Sequence, residues 1–305
     1  MVSLRQVTKR VIEKTLRLAG GYPSRMAGRS LILAYHNVVL DGEAGRGDRS
    51  LHLPFSRFRR QLDLIQAHCQ VSPLRDLLDN RPATEGPRIA ITLDDAYCGA
   101  VELAIPELER RGLPSTLFVA PGLLGARSMW WDEVADKSEG LSDAQRLELL
   151  ERQAGRGADI LAGIKSVPSA LPTSYGCASE EQVRALVGQS QIVLGAHSWS
   201  HPNLARLDPR SLSDELCRPL EWLRSAGSPS LALLAYPYGL SSPAVEVAAE
   251  AAGYSGGLLV EGGWLTGREQ RWRIPRFNVP AGLSEDGFIL RLSGMLGVSP
   301  TSQAW

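Results

Sequence analysis

Two histidines lie four residues apart in the segment GAHSWSHPNL (195–204), where His197 and His201 follow the apolar run QIVL. The chain has five histidines, so this segment holds two of them. Because Pro202 follows directly, the segment cannot continue as a helix. Two imidazoles at this spacing can bind a metal, but H-x-x-x-H patterns also occur without one. His197 would then end a strand and His201 would lie in a solvated turn, and spacing alone leaves both interpretations open.

Polar residues follow other apolar runs as well: Tyr35 and His36 after LILAY, Asp94 and Asp95 in RIAITLDD, and the turn AYPYG at 235–239. Neighbouring side chains of an extended chain point in opposite directions, so one carboxylate can bind a metal while the other faces water. Two imidazoles and one carboxylate would leave positions open for water and substrate, as in catalytic metal sites. A bound divalent ion lowers the pKa of water, so this set favours hydrolysis.

The elements that must position these residues alternate between strands and helices. Short apolar runs predict seven strands, at 31–35, 88–95, 115–120, 191–196, 231–236, 255–260 and within 271–279. Helical periodicity appears between them, at 54–68, 100–112 and 242–253. This alternation predicts an α/β fold with a parallel sheet. No G-x-G-x-x-G follows the first strand, which favours a barrel whose strand ends converge on one site.

The segment 121–188 is too long for an ordinary connection between a strand and a helix. It contains WWDEV at 130–134 and two capping-box patterns, Ser142 with Gln145 and Ser179 with Gln182. We therefore expect a helical insertion over the barrel mouth.

Composition excludes several classes of protein. The 305 residues carry 33 basic and 33 acidic side chains, a balance that does not favour nucleic-acid binding. Four scattered cysteines without a C-x-x-C pair indicate free thiols in a reducing compartment. No apolar stretch is long enough to predict a membrane-spanning helix.

The N-terminal segment MVSLRQVTKRVIEKTLRLAGG lacks the uninterrupted apolar run of a secretory signal, so we expect a cytoplasmic protein. It predicts a basic helix with one acidic residue, Glu13, and an apolar stripe formed by Leu4, Val7, Val11 and Leu18. Two interpretations stay open. The helix covers one end of the fold, or it lies on a membrane surface and makes a peripheral contact there.

Three motifs resemble those of the NodB-type polysaccharide deacetylases, carbohydrate esterase family 4. ITLDDAY (91–97) resembles the T-F-D-D-G-Y motif, GAHSWSHPNL the G-S-H-[ST]-x-x-H-P motif, and AYPYG the R-x-P-Y-G motif. AYHNV (34–38) and RIPRFNV (273–279) match flanking sequences of a bacterial branch. The similarity runs from about residue 30 to 280, and the order of the motifs makes it specific.

The resemblance implies a distorted (β/α)7 barrel. It also implies that Asp94 is the general base and that Asp95, His197 and His201 hold a divalent metal, most often Zn²⁺, with Co²⁺, Ni²⁺ or Mn²⁺ as alternatives. The backbone N–H of Tyr238 would stabilise the oxyanion. We expect residues 1–29 to form the N-terminal basic helix, 30–290 the catalytic domain and 291–305 a C-terminal tail.

The sequence departs from the family pattern at several positions. Ala235 replaces the arginine that orients the base, and Arg276 is the candidate substitute because a guanidinium can bind a carboxylate bidentately. An ordinary salt bridge is the alternative for Arg276. No histidine follows His201, so His36 is the candidate to protonate the leaving amine or to bind the substrate. A buried histidine that is hydrogen-bonded to the backbone is the alternative. Ala96 replaces a glycine, a small change.

Further residues are assigned to substrate binding: Tyr35, Pro237, Tyr238 and Trp264. Trp130 and Trp131 lie in the insertion itself, and tryptophans there either stack on sugar rings or pack against other side chains. Asp132 either reaches the site or caps a helix, and Cys98 is a candidate ligand or a small buried thiol.

These observations predict a metal-dependent hydrolase that removes N-acetyl groups from an N-acetylated sugar, glycan or glycoconjugate and releases acetate. The alternatives are a hydrolase of another small amide or ester on the same metal core, and an inactive carbohydrate-binding protein. The four intact residues of the motifs favour an enzyme, whereas Ala235 and the missing late histidine favour the inactive protein.

Overall fold

Seven parallel strands form one curled sheet in the computed structural model, which describes residues 4–18, 20, 28–43, 45–79, 87–136, 140–163, 171–188, 191–227 and 231–296. The strands are β1 (Ser30–Tyr35), β5 (Arg88–Leu93), β6 (Ser115–Val119), β7 (Ile192–Ala196), β8 (Leu233–Ala235), β9 (Gly256–Leu258) and β10 (Phe277–Asn278). Their order across the sheet is β10-β1-β5-β6-β7-β8-β9. A bridge between Leu258 and Ile274 links β9 to the chain just before β10. The predicted (β/α)7 architecture is therefore confirmed, as a curled half-barrel.

Three short strands lie outside this order and were not predicted. They are β2 (Asn37–Val39) and β3 (His52–Pro54), which pair with each other, and β4 (Gln70–Val71), which pairs with β5. The β2–β3 pair follows β1 directly and places the 37–54 segment beside the carboxyl ends of the barrel strands.

Helices connect and cover the strands. Those of the described residues are α1 (Leu4–Leu18), α2 (Phe55–His68), α3 (Leu74–Leu78), α4 (Ile105–Arg110), α5 (Trp130–Val134), α6 (Asp143–Arg152), α7 (Gly157–Gly163), α8 (Glu180–Ala185), α9 (Pro209–Ser225), α10 (Pro243–Ala252) and α11 (Glu285–Leu292). A π-helical segment, Ala100–Ala104, precedes α4, where Pro106 lies in the first turn. The predicted boundaries of α10 are confirmed, since Ser242 caps its start and Gly253 ends it with φ 103°.

The insertion 121–188 contains α5 to α8, and both of its predicted capping boxes form. Trp131 and Arg146 from this insertion line the cleft at the carboxyl ends of the strands. The insertion therefore lies over the barrel mouth, as the sequence predicts.

The period of two in each strand separates two apolar cores. Outward residues such as Leu33, Leu93 and Leu194 pack against the helices, whereas Ile32 and Phe118 fill the interior of the barrel. Gly195 is required at this interior, because a Cβ there would lie 2.5 Å from the Phe118 ring. The same alternation turns His36, Asp94 and His197, which directly follow β1, β5 and β7, toward the barrel axis.

The chain termini are described in part. α1 packs on α11, while residues 1–3, 19 and 21–27 of the predicted N-terminal segment lie outside the described residues. Of the predicted tail 291–305, residues 291–296 are described and the rest are not. Among the described helices, none combines the length and the apolar character needed to cross a bilayer. All four cysteines are free.

Candidate active site

A cleft opens at the carboxyl ends of the barrel strands. Its lining includes His36, Asp94, Asp95, His197 and His201. These residues follow β1, β5 and β7, so parallel strands that are adjacent or nearly so bring them to one edge. The structure thus gathers into one place five residues that are spread over 166 positions of the chain.

Asp94 is held by Arg276 through both carboxylate oxygens. The two guanidinium–carboxylate distances are 2.8 Å to Oδ1 and 2.7 Å to Oδ2, and both side chains are buried. Arg276 also donates to the Leu259 carbonyl and to Thr92 Oγ1, and it lies over the Phe118 ring. A buried guanidinium needs such partners, because an unpaired charge in an apolar interior is costly. This bidentate contact fixes the orientation of the Asp94 carboxylate, and the arginine comes from the segment just before β10.

Asp95, His197 and His201 form a compact donor set. Asp95 Oδ1 lies 3.4 Å from His197 Nε2 and 3.2 Å from His201 Nε2, and the two Nε2 atoms are 3.1 Å apart. A tetrahedral ion with bonds of about 2.0–2.2 Å separates its ligand atoms by about 3.3–3.6 Å. The three atoms are therefore close to the spacing of a tetrahedral face. Among the described residues, this is the one cluster of such side chains with metal-binding geometry.

Hydrogen bonds around this set favour metal binding. The Ala235 carbonyl lies 2.7 Å from His197 Nδ1, which assigns the proton to Nδ1 and leaves a lone pair on Nε2. Asp95 Oδ1 is buried and has no hydrogen-bond partner among the described residues. Buried oxygen atoms of this kind are normally satisfied, so the orphaned carboxylate oxygen fits a cation. The residues present therefore fit a divalent metal.

Charges in the cleft set the protonation states. Burial by itself would raise the pKa of Asp94, but Arg276 and His197 outweigh it and hold the pKa below its usual value. Burial likewise opposes ionisation of Asp95, yet His201 and His197 keep its pKa well below the usual range. Both carboxylates are therefore ionised at neutral pH.

The pKa values of the two histidines, His197 and His201, are shifted in opposite directions. Burial lowers the pKa of His201. In His197 the effect of burial is outweighed by the charge of Asp94 and by its contacts with Asp95, so its pKa is raised. A bound cation requires both rings to be neutral, so metal binding would displace any proton held at His197 Nε2.

The backbone of the site is strained. Six non-glycine residues of the described chain have positive φ, and five of them lie in the three motifs: Asp95, Ala96, Ser198, His201 and Tyr238. Such conformations cost about 1–3 kcal/mol each and persist where the surrounding structure fixes them. In the histidine segment, Ser198 Oγ accepts a hydrogen bond from the His201 N–H, which closes the turn.

His36 lines the cleft directly after β1. Its ring is half-buried, and burial lowers its pKa, whereas the charges of Asp95 and Asp94 act in the opposite direction. The structure therefore brings His36 into the site with the ionised carboxylates but leaves its role a prediction.

Tyr238 and two tryptophans of the insertion support the turn that carries His201. The Tyr238 hydroxyl donates to the His201 carbonyl at 3.1 Å and accepts from Trp130 Nε1 at 2.9 Å. Trp131 lies with its ring centroid 5.0 Å from that of His201, and its Nε1 donates to Tyr97. Trp130 and Trp131 are both buried, so packing and hydrogen bonding account for most of their surface.

Asp132 does not line the cleft. It accepts hydrogen bonds from His52 Nε2 at 2.7 Å, the Asp48 N–H at 2.8 Å and the Tyr97 hydroxyl at 3.2 Å. On the far side of His52, the Asn37 amide lies 3.0 Å from Nδ1. This buried network joins the insertion to the β2–β3 pair.

Other predicted residues lie elsewhere. Tyr35 faces outward from β1 and packs edge-on against Phe58, because the alternation that turns His36 inward turns Tyr35 outward. Trp264 lies near Arg29, and its neighbour Leu265 bridges to Ser30 at the start of β1, so it sits at the opposite end of the barrel. The structure does not bring either of these predicted substrate contacts into the cleft. Pro237 is buried in the turn that carries Tyr238.

The cleft also contains residues that the sequence did not single out, notably Arg146 and Asn278. Asn278 ends β10, so the convergence of parallel strand ends on one site would have predicted its place in the cleft. Arg146 comes from the insertion, where no motif marks it. Its buried guanidinium pairs with Asp48, and its Nε has no partner among the described residues.

Comparison with known proteins places this fold and site in a family. The chain belongs to the polysaccharide deacetylase family, whose model matches residues 81–257 and so spans Asp94, Asp95, His197, His201 and Tyr238. The comparison with curated proteins gives no match.

Solved structures share the fold. The Streptococcus pyogenes deacetylase PplD, in complex with acetate, is 16% identical, with a TM-score of 0.61 over 87% of this chain and 98% of that chain. IcaB from Ammonifex degensii is 17% identical, with a TM-score of 0.59 over 88% and 96%. The BpsB deacetylase domain from Bordetella bronchiseptica is 15% identical, with a TM-score of 0.53 over 84% and 96%. These similarities concern the fold.

Proposed function

We propose that the protein is a metal-dependent N-deacetylase that hydrolyses the acetamido group of an N-acetylated sugar or glycan to acetate and a free amine. The family match supports a carbohydrate deacetylase. The observation that carries the finer proposal is the juxtaposition of a bidentately held carboxylate, Asp94, with the Asp95, His197 and His201 donor set in one cleft.

Asp95, His197 and His201 would hold the divalent ion. When bound, the ion supplies a Lewis acid that polarises the amide carbonyl and lowers the pKa of water. His197 is fixed in the ligating tautomer by the Ala235 carbonyl. Zinc fits this oxygen and nitrogen donor set, and cobalt, nickel or manganese are alternatives.

Asp94 would act as the general base. Its Oδ2 lies 4.0 Å from His197 Nε2, so the carboxylate borders the donor set without belonging to it. Arg276 keeps Asp94 ionised and fixes its orientation, which allows it to accept a proton from the attacking water. The low pKa that Arg276 imposes makes Asp94 a weak base, so its contribution depends on a water of lowered pKa.

His36 would donate the proton that the departing amine nitrogen needs, because the unprotonated amine anion is a poor leaving group. It lines the same cleft as Asp94. In sum, the attacking water loses a proton to Asp94, the C–N bond breaks, and the nitrogen leaves protonated while the acyl group leaves as acetate. The backbone N–H of Tyr238 is the proposed oxyanion donor.

The test is acetate release from a panel of N-acetylated monosaccharides, oligosaccharides, polymers and lipid-linked precursors. Asp94→Asn should reduce kcat by about 10²–10⁴-fold while retaining the fold. Asp63→Asn on α2 is the matched control, since Asp63 is 49% exposed and pairs with Arg111 on the surface. If no substrate of the panel releases acetate but other amides or esters are hydrolysed, the protein is a hydrolase of a different class. Sugar binding without any turnover would contradict an enzyme.

A further inference from the structure

The N-terminal helix α1 packs against the barrel through its polar side. Glu13 is 2% exposed and accepts a hydrogen bond from Ser284 Oγ at 2.5 Å. Arg17 forms an ion pair of 2.6 Å with Asp286 in the first turn of α11. Leu16 lies between them and is partly buried against the core. One side of α1 is thereby fixed to the start of α11.

The apolar side of α1 faces away from the protein. Val11 is 59% exposed, Ile12 52% and Leu18 77%, so α1 provides three of the seven exposed large hydrophobic residues of the described chain. Val11 and Leu18 are seven positions apart and share one face of a helix, roughly opposite the Glu13 side. The side chains of Leu4 and Val7, which continue this stripe in the sequence, lie outside the described residues.

This orientation is the reverse of an ordinary surface helix, whose apolar stripe covers the core. Contiguous exposed apolar residues on a helix mark an interaction surface. The interpretation that α1 merely covers one end of the fold does not explain why its polar side is the buried one.

Charge identifies the partner. Arg10 and Lys14 are exposed and lie along one side of the Val11–Leu18 stripe, while the acidic Glu13 is turned inward. A second copy bound through the same face about a two-fold axis would bring these cations against their own counterparts. An anionic bilayer surface satisfies both features, because cations meet lipid phosphates while the apolar side chains enter the interface.

We propose that the α1 surface formed by Arg10, Val11, Ile12, Lys14 and Leu18 binds anionic membranes. The proposal is independent of the proposed function, because binding to vesicles is measured without substrate or turnover.

The experiment is flotation of the full-length protein with vesicles of phosphatidylcholine alone and of phosphatidylcholine mixed with phosphatidylglycerol. We expect binding to the mixed vesicles that weakens as salt is added. The variant Arg10→Gln/Lys14→Gln should bind about thirtyfold more weakly, since each cation near an anionic surface contributes about a fivefold factor. Val11→Gln/Leu18→Gln should also lose binding.

The matched control is Val247→Gln/Arg268→Gln, which removes a 68% exposed valine from α10 and an exposed arginine elsewhere. This control should bind as the wild type does. Circular dichroism checks that each variant stays folded. Failure of the wild type to bind the mixed vesicles would overturn the proposal. So would equal loss in the control, or sedimentation showing that Val11→Gln/Leu18→Gln dissociates a dimer.

Discussion

Arg276 and Asp94 form a fully buried, bidentate ion pair inside the barrel although 182 residues separate them. The arginine comes from the segment just before β10, and the carboxylate from the end of β5. β1 lies between β10 and β5 in the sheet, so the guanidinium reaches across the interior. We expect this contact to replace that of the family arginine at whose position Ala235 lies.

The first prediction concerns this pair. Arg276→Lys removes the bidentate grip and should lower kcat about 10²-fold, because Asp94 loses its fixed orientation. Since Arg276 holds the pKa of Asp94 down, the acidic limb of the rate–pH profile should move to higher pH. The profile of kcat/KM between acidic and neutral pH measures this shift. An unmoved acidic limb would show that another group controls the ionisation of the base.

The same pair should contribute to stability with a defined pH dependence. A carboxyl whose pKa is lowered in the folded state stabilises the protein above its unfolded pKa, about 3.9, and this contribution is lost as the pH falls through the lower folded value. Arg276→Met leaves a buried charge unpaired and should cost about 3–5 kcal/mol at neutral pH. Urea unfolding at neutral pH measures the loss. A cost no greater than that of the surface variant Arg152→Met, whose side chain is 78% exposed, would contradict this role of the pair.

The second prediction separates proton donation by His36 from a structural role. His36→Ala should lower kcat for N-acetylated sugars about 10²-fold or more and leave metal binding intact. Hydrolysis of an aryl acetate should be far less affected, because a phenolate leaves without protonation. Equal losses on both substrates would indicate that His36 positions the substrate or the fold instead.

A third prediction concerns the buried network of the insertion. Asp132→Leu leaves three donors without an acceptor, from His52, Asp48 and Tyr97, and should cost about 3 kcal/mol or more of unfolding free energy. Asp143→Asn, at an exposed position of α6, is the control and should cost much less. Urea unfolding of both variants measures the difference. Equal stability of the two variants would show that the network is dispensable.

The barrel strands and the donor set could be predicted because local patterns carry them. Each apolar run is short and is followed by a polar residue. Because parallel strands converge at their carboxyl ends, these polar residues are predicted to lie in one site. The order of the motifs then identified the family, which the comparison confirms.

Other features depend on contacts that no local pattern encodes. The sequence predicts the α1 stripe but not the direction it faces, since that is set by Ser284 and Asp286 at the far end of the chain. Trp264 was assigned to the substrate from its residue type, yet its neighbour pairs with the start of β1. Arg146 enters the cleft from the insertion, and its position depends on an ion pair with Asp48, which is distant in the sequence.

The most direct test of the metal site is the rate of acetate release as zinc is added to metal-free protein. We expect the rate to rise linearly and to level off at one equivalent of bound metal. Asp94→Asn should bind the same one equivalent without releasing acetate, whereas His201→Gln should bind the metal weakly. Full acetate release from metal-free protein, or retention of tight binding by His201→Gln, would contradict the assignment of Asp95, His197 and His201 as the metal ligands.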